Sequence, residues 1–208
     1  MQIHVASGST HREMNAMIKG YDVSGYQDAN FPTDGISFAF VKATEGRSWV
    51  NSKQKDQAAH ARAAGLVVGF YHFLIPGHIK EQAAHFVEDS ANIDYDLLAV
   101  DWEIRRNGTA ATCAEKDAFI AEVQRLCGST HKIGLYCNRD FWRHRDTTDN
   151  AGDFLWIAQY GVTAGKPDIE SKWLFHQYAE NPLDTDVCIF TSKAELVAFA
   201  GGINGVKN

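Results

Sequence analysis

Apolar residues recur along this chain in two rhythms. Short runs that are continuously apolar or alternate every second residue, bounded by Gly, Asn or Asp, predict strands over 19–23, 37–42, 66–73, 97–103, 132–137, 154–159, 173–178 and 187–190. Between them the period lengthens to that of a helix. "SKQKDQAAHARAAG" (52–65) is alanine-rich and stops at Gly65, and "HIKEQAAHFVEDSAN" (78–92) is amphipathic. "TCAEKDAFIAEVQRLCG" (112–128) opens on a Thr112/Glu115 capping box and places Phe119, Val123 and Leu126 on one face. "SKAELVAFAGG" (192–202) repeats the box with Ser192/Glu195.

Strands alternating with helices at this spacing imply right-handed crossovers and a mostly parallel sheet. Eight strands point to an irregular TIM-like (β/α) barrel of the α/β class. Its helices thin out after about residue 145, where "GDFLWIAQYG" and "KWLFHQYA" read as strands joined by loops. No internal repeat, low-complexity stretch or Pro/Gly/Ser-rich linker marks a second domain. The expected organisation is an N-terminal extension over 1–17 and one domain over 18–208.

With 208 residues, 45% hydrophobic and 12% aromatic, the chain can bury a substantial core. The net charge of −6 argues against a nucleic-acid partner, and no apolar run approaches a membrane span. "MQIHVASGSTHREMNAMIKG" lacks a basic segment followed by an apolar core, so a cytosolic start without a signal peptide is expected. Cys113, Cys127, Cys137 and Cys188 show no CxxC spacing and read as reduced, buried thiols. None of the nine histidines forms an HxH or HExxH pattern; His60, His78 and His85 fall on predicted helices as surface or packing residues. No metal or other cofactor is called for.

A parallel barrel carries its chemistry at the C-terminal ends of its strands, which makes the acids there informative. Asp22 closes the first strand, Asp101 and Glu103 the fourth, and Asp186 stands beside the last; Glu45 follows the second. "LLAVDWEI" is the unusual segment. Residues two apart on a strand share a face roughly 7 Å apart, so Asp101 and Glu103 are expected to repel each other, raising a pKa until one holds a proton near neutral pH. The aromatics Tyr71, Tyr136, Trp156 and Tyr178, each near a predicted strand end, read equally as core or as platforms for a sugar.

Eight motifs now stand in order: "GYDVSGYQ", "FVKATEG", "AGLVVGFYHF", "LAVDWE", "IGLYCN", "LWIAQYG", "WLFHQYA" and "TDVCIF". Together they resemble the lysozymes of glycoside hydrolase family 25, the N-acetylmuramidases of phage endolysins and bacterial autolysins. The resemblance implies hydrolysis of the bond between N-acetylmuramic acid and N-acetylglucosamine in peptidoglycan, with retention of configuration. It implies Glu103 as general acid, and Asp101 as the group that helps a nucleophile or stabilises charge at the anomeric carbon, either directly or by orienting the sugar's own 2-acetamido group. Asp22 and Asp186 would line the same pocket and tune Glu103. Glu45, Tyr71, Tyr136 and Gln177 would contact the sugar, with Trp156 and Tyr178 as further candidates.

Two residues depart from the family pattern. Trp102 replaces a smaller aliphatic residue, and His176 stands where Trp is common, with the sugar subsites as the place a change would be felt. The 18 residues after Phe190 are too few for an appended wall-binding module, so a bare, monomeric catalytic domain is expected. With no signal peptide, the resemblance favours an endolysin reaching the wall after holin-dependent release. Three other classes remain open. A metal-dependent phosphodiesterase could use the same carboxylates, and survival of activity in a chelator would dismiss it. A family 18 chitinase is partly echoed by Asp96, Asp101 and Glu103, although Ala99 breaks its motif. A non-catalytic glycan-binding module would not need so much buried repulsion.

Overall fold

The computed structural model describes residues 16–202. The 1–17 extension expected from the sequence therefore falls almost wholly outside the described residues. In chain order the elements are β1 (Ile18–Val23), β2 (Phe38–Glu45), β3 (Trp49–Val50), α1 (Gln54–Ala63), β4 (Val67–Phe73), α2 (Ile79–Asp89) and β5 (Leu97–Asp101). There follow α3 (Cys113–Cys127), β6 (Lys132–Asn138), α4 (Arg139–His144), β7 (Leu155–Ala158), β8 (Phe175–Ala179), β9 (Asp184–Cys188) and α5 (Lys193–Ala200). The sheet runs β1-β9-β8-β7-β6-β5-β4-β2, and β2 pairs back onto β1, closing an eight-stranded barrel. The two-residue β3 lies antiparallel on the end of β2. Every barrel pairing is parallel except those of β9, which runs against both β1 and β8.

Helices α1, α2 and α3 cover the crossovers of the first half, whereas β7, β8 and β9 are joined by loops alone, as the apolar pattern implies. Both capping boxes form, at Thr112/Glu115 and Ser192/Glu195. Several details differ from the pattern, which predicts neither β3 nor α4. The fourth predicted strand, 97–103, ends at Asp101; the last lies earlier, at Asp184–Cys188; and Leu126 is exposed. The buried face of α3 is Lys116, Phe119, Ile120 and Val123, one turn closer to its N-terminus, because the long stem of Lys116 supplies the apolar cover. Its ammonium is hydrogen-bonded to Asp146 at 2.6 Å and to the Asn150 carbonyl at 2.6 Å.

The core has two layers. Outside the sheet, Val41, Phe70, Leu98, Val100 and Leu135 pack against Ala58, Phe86, Phe119 and Val123 of the helices. Trp102 belongs to this layer: its indole N–H donates to the Ala111 carbonyl at 2.7 Å and its ring meets Phe141 edge-on. Inside the barrel, Phe38, Phe40, Phe154, Trp156 and Phe175 fill the lumen, and Leu196 and Ala200 of α5 join them. Phe40 stacks on Trp156 with ring centroids 4.4 Å apart.

Room for those rings comes from glycines. A Cβ on Gly20, Gly69 or Gly134 would lie 2.3 Å from an atom of Phe38, Phe40 or Phe154 respectively. Small and large residues thus alternate around the lumen, as a narrow barrel requires. Cys137 and Cys188 are buried and Cys113 and Cys127 half-buried, all four as free thiols. Because Phe40 is hemmed in by Trp156, Phe154 and Phe175, Gly69→Ala is expected to destabilise the fold by about 1–3 kcal/mol through overpacking. Urea unfolding measures this, and an unchanged midpoint would contradict the packing described.

Candidate active site

The two-residue period of the strands builds the site directly. Gly20, Gly69, Ala99, Gly134 and Phe175 face the lumen, so Asp22, Tyr71, Asp101, Tyr136 and Gln177, each two residues on, face it one layer higher, at the mouth. From the antiparallel β9, Asp186 enters opposite Gly20 and Gln177, and Asp184 opposite Asp22. Glu103 stands just beyond the end of β5, where the Trp102 N–H still donates to the Tyr136 carbonyl at 2.9 Å and keeps the chain in line.

These residues line a groove. Its deepest part, about 220 Å³, is walled by Asp22, Tyr71, Asp101, Glu103, Tyr136, Trp156, Tyr160, Gln177 and Asp184. A wider part of about 680 Å³ shares Tyr71, Asp101 and Glu103 and adds Tyr26, Lys42, Glu45, Arg105 and Arg106 among others. A third, of about 380 Å³, includes Glu103, Tyr136, Asn138 and Tyr160. Glu103 borders all three.

Hydrogen bonds fix the floor. The Gln177 side-chain carbonyl accepts from the hydroxyls of Tyr136 at 2.8 Å and Tyr160 at 2.6 Å, while its NH₂ donates to Asp22 at 2.6 Å. The Trp156 indole N–H donates to Asp186 at 2.7 Å. Lys42 pairs with Glu45 at 2.8 Å, its ammonium lying over the rings of Trp49 and Phe73. Among the described residues no set of three His, Cys, Asp or Glu side chains is arranged to hold a metal ion.

The carboxyls are deeply buried: Asp22 and Asp101 are 5% exposed and Asp186 not at all. Burial is the largest cause of the raised pKa of Asp101, followed by the charge of Glu103, with Lys42 opposing. Glu103 is also raised by burial, against Lys42 and a hydrogen bond from Asp101. Asp22 is pushed well up by burial and by the charges of Asp186 and Asp184, and burial lifts Asp186 to about 7. The repulsion expected from the strand spacing is therefore real for Asp101 but secondary to loss of water. For Glu103, the attraction of Lys42 outweighs the repulsion from Asp184.

Asp22, Asp101, Glu103, Glu45, Tyr71, Tyr136, Trp156 and Gln177 all reach the groove. Asp186 does not: it is fully buried beside Asp22, whose pKa its charge raises, and acts on the groove only through that neighbour. Tyr178 must be corrected. Being adjacent to Gln177 on β8, it points to the opposite face, where its ring meets His176. His176 shares that outer face, accepting from the Gly165 N–H at 3.0 Å and donating to the Gln159 carbonyl at 3.0 Å, so it does not reach the groove. Lys42, Asp184 and Tyr160 were not singled out from the sequence. The first two carry a signal, since Lys42 continues the Phe38/Phe40 alternation and Asp184 stands two residues before Asp186. Tyr160 lies in a loop and carries none.

The sequence profile of the glycosyl hydrolases family 25 matches residues 21–187, which contain all of the groove carboxylates just described. The chain belongs to that family. It is 27% identical over 191 residues to an autolytic lysozyme of Clostridium acetobutylicum, covering 89% of this chain and 57% of that one. To the lysozyme of Streptococcus phage Cp-9 it is 25% identical, covering 85% and 52%. The chain thus spans little more than half the length of these two curated relatives. The structure of a muramidase from Acremonium alcalophilum superposes with a TM-score of 0.74 at 25% identity, covering 89% of this chain and all of that one.

Within this family 25 barrel, Asp186 binds its proton more tightly when folded than the ordinary 3.8 of the unfolded chain. The native state therefore gains from protonation, and its stability from this group, full below pH 3.8, is lost as pH rises toward 7, at up to about 1.4 kcal/mol per pH unit. Asp186→Asn is expected to flatten that part of the stability–pH curve. Parallel urea titrations of both proteins from pH 4 to pH 8 check it; curves that stay parallel would be the contrary result.

Proposed function

We propose that this chain is a muramidase that cleaves the β-1,4 bond between N-acetylmuramic acid and N-acetylglucosamine in peptidoglycan, with retention of configuration. The observation that carries the reading is the position of Glu103, the acid where the deep, wide and third parts of the groove meet. A glycan strand threaded through the groove passes its scissile oxygen beside that carboxyl.

Asp101 and Glu103 border the same parts of the groove, and the charge of Glu103 helps Asp101 to keep a proton. Burial holds it more firmly on Asp101, but Glu103 faces the groove more openly, so the tautomer with the proton on Glu103 is the reactive one. Retention is the outcome the family resemblance implies, with the sugar's own 2-acetamido group as the attacking nucleophile. Asp101 then stabilises or orients the attacking 2-acetamido oxygen of the sugar held in the deep cavity. Tyr136, Gln177 and Asp22 form the hydrogen-bonded wall against which that sugar rests, and Asp186 fixes Asp22 from behind. Glu45, Tyr71 and Trp156 complete the contacts.

The reading extends to residues 18–208 as one catalytic domain, working as a monomer on wall glycan without nucleic acid or membrane insertion. No helix among the described residues is long and apolar enough to cross a membrane. Similarity to a phage lysozyme supports an endolysin that meets the wall after holin-dependent release.

Glu103→Gln is expected to lower the rate of hydrolysis of purified peptidoglycan by about 10²–10⁴-fold, with the circular dichroism spectrum unchanged. Mass analysis of products from the unaltered protein should show reducing-end N-acetylmuramic acid. Reducing-end N-acetylglucosamine, or a glutamine variant with near-normal rate, would remove Glu103 from this role or the protein from this class.

A further inference from the structure

Two guanidinium groups stand on the wall of the wide cavity without a carboxylate partner. Beyond Glu103 the chain continues Ile104-Arg105-Arg106-Asn107, and both arginines line the 680 Å³ space that Asp101 and Glu103 border. The loop that carries them is pinned. The Arg105 N–H donates to the Thr109 carbonyl at 2.8 Å, the Gly108 N–H to the Arg105 carbonyl at 2.8 Å, and the Thr109 N–H to the Asn107 side chain at 3.1 Å. Arg106 donates to the Tyr26 hydroxyl at 3.3 Å, joining the loop after β5 to the loop after β1 beside the cavity.

Among the described residues Arg62, Arg125, Arg139 and Arg143 form ion pairs and Arg47, Arg105, Arg106 and Arg145 do not; of these four, Arg105 and Arg106 are the ones that line the groove. Lys42, the other cation of this cavity, is committed to Glu45. In a chain of net charge −6, two unpaired guanidiniums beside the acid pair are donors left for something that enters the groove.

We propose that Arg105 and Arg106 form a carboxylate-binding subsite that selects glycan strands by the acidic groups on muramic acid. The inference rests on the reading of the groove as glycan-cleaving. N-acetylglucosamine carries no charge. Muramic acid adds a lactyl ether whose carboxyl is free in peptide-free strands; in intact wall it is amide-linked to a stem peptide with carboxylates of its own. A planar guanidinium meets either kind of carboxylate with paired N–H···O bonds, which a neutral chitin-like chain cannot accept. The contact lies away from the bond that breaks, so it acts on binding rather than on the chemical step.

The test compares the unaltered protein with the Arg105→Gln/Arg106→Gln double variant on strands of equal length. One set is peptide-free, a second keeps its stem peptides, and a third is peptide-free with its carboxyls reduced to alcohols. On the carboxylate-bearing strands the variant's KM is expected to rise about tenfold or more, with kcat within a factor of about two. On the reduced strands the two proteins should behave alike, and added salt should shrink the difference elsewhere. A rise confined to peptide-free strands assigns the lactyl carboxyl, and one confined to peptide-bearing strands assigns the stem peptide. An equal rise on reduced strands, or no rise on any, overturns the subsite.

If the unaltered protein cleaves none of the strands, the hydrolase reading fails instead. Calorimetric binding of the same three oligosaccharides to Glu103→Gln, with and without the arginine changes, still reads the subsite on its own. Preference for carboxylate-bearing strands that survives loss of both arginines overturns it there too.

Discussion

Carboxyl groups buried without cations of their own are the constraint around which this barrel is organised. Asp22, Asp101 and Asp186 lie where ionisation is opposed first by loss of water and only then by neighbouring charge. Lys42, whose positive charge opposes this effect at Asp101 and Glu103, is held by Glu45. The protons are therefore retained by pairs rather than by single residues: Asp101 with Glu103, and Asp22 with Asp186. One pair faces the groove and the other stands partly behind it, so protonation on the floor of the groove is set by shape as much as by charge.

Such an arrangement needs rigid walls. The aromatic plug supplies them: Phe40 stacks on Trp156, Tyr136 meets Trp156 edge-on with centroids 4.6 Å apart, and the same Trp156 donates to Asp186. Packing below and hydrogen bonding above thus share one side chain. Gln177 does the same work across the mouth, since a single amide accepts from two tyrosines and donates to Asp22, leaving that amide one orientation that satisfies all three. On the outer side, Trp102 ties the segment between the two acids to Ala111, which gives its bulk a structural reason.

Much of this was legible in the sequence, for identifiable reasons. Strands that are apolar on both faces, such as β2 and β5, announce themselves, and capping boxes mark helix starts because they are local in the chain. The ring of acids was visible because a parallel barrel gathers its strand ends. Elsewhere the local signal failed. "LLAVDWE" alternates through Glu103 although ladder pairing ends at Asp101, so periodicity overran the strand. Tyr178 looked equivalent to Tyr71 and Tyr136, but one residue of register turned it outward. Asp186 and Asp22 carry no sequence mark of which lies in front, since that depends on β9 running antiparallel. Tyr160 reaches Gln177 from a loop, and no periodicity applies there.

The place of β9 in the sheet has a consequence for how the barrel closes. Because this strand fills the gap between β1 and β8, elements far apart in the chain, the cylinder stays open until β9 has paired with both. Asp184 and Asp186 arrive with it. Since burial, and with it their charges, raises the pKa of Asp22, the dry floor of the groove depends on the same strand that seals the cylinder.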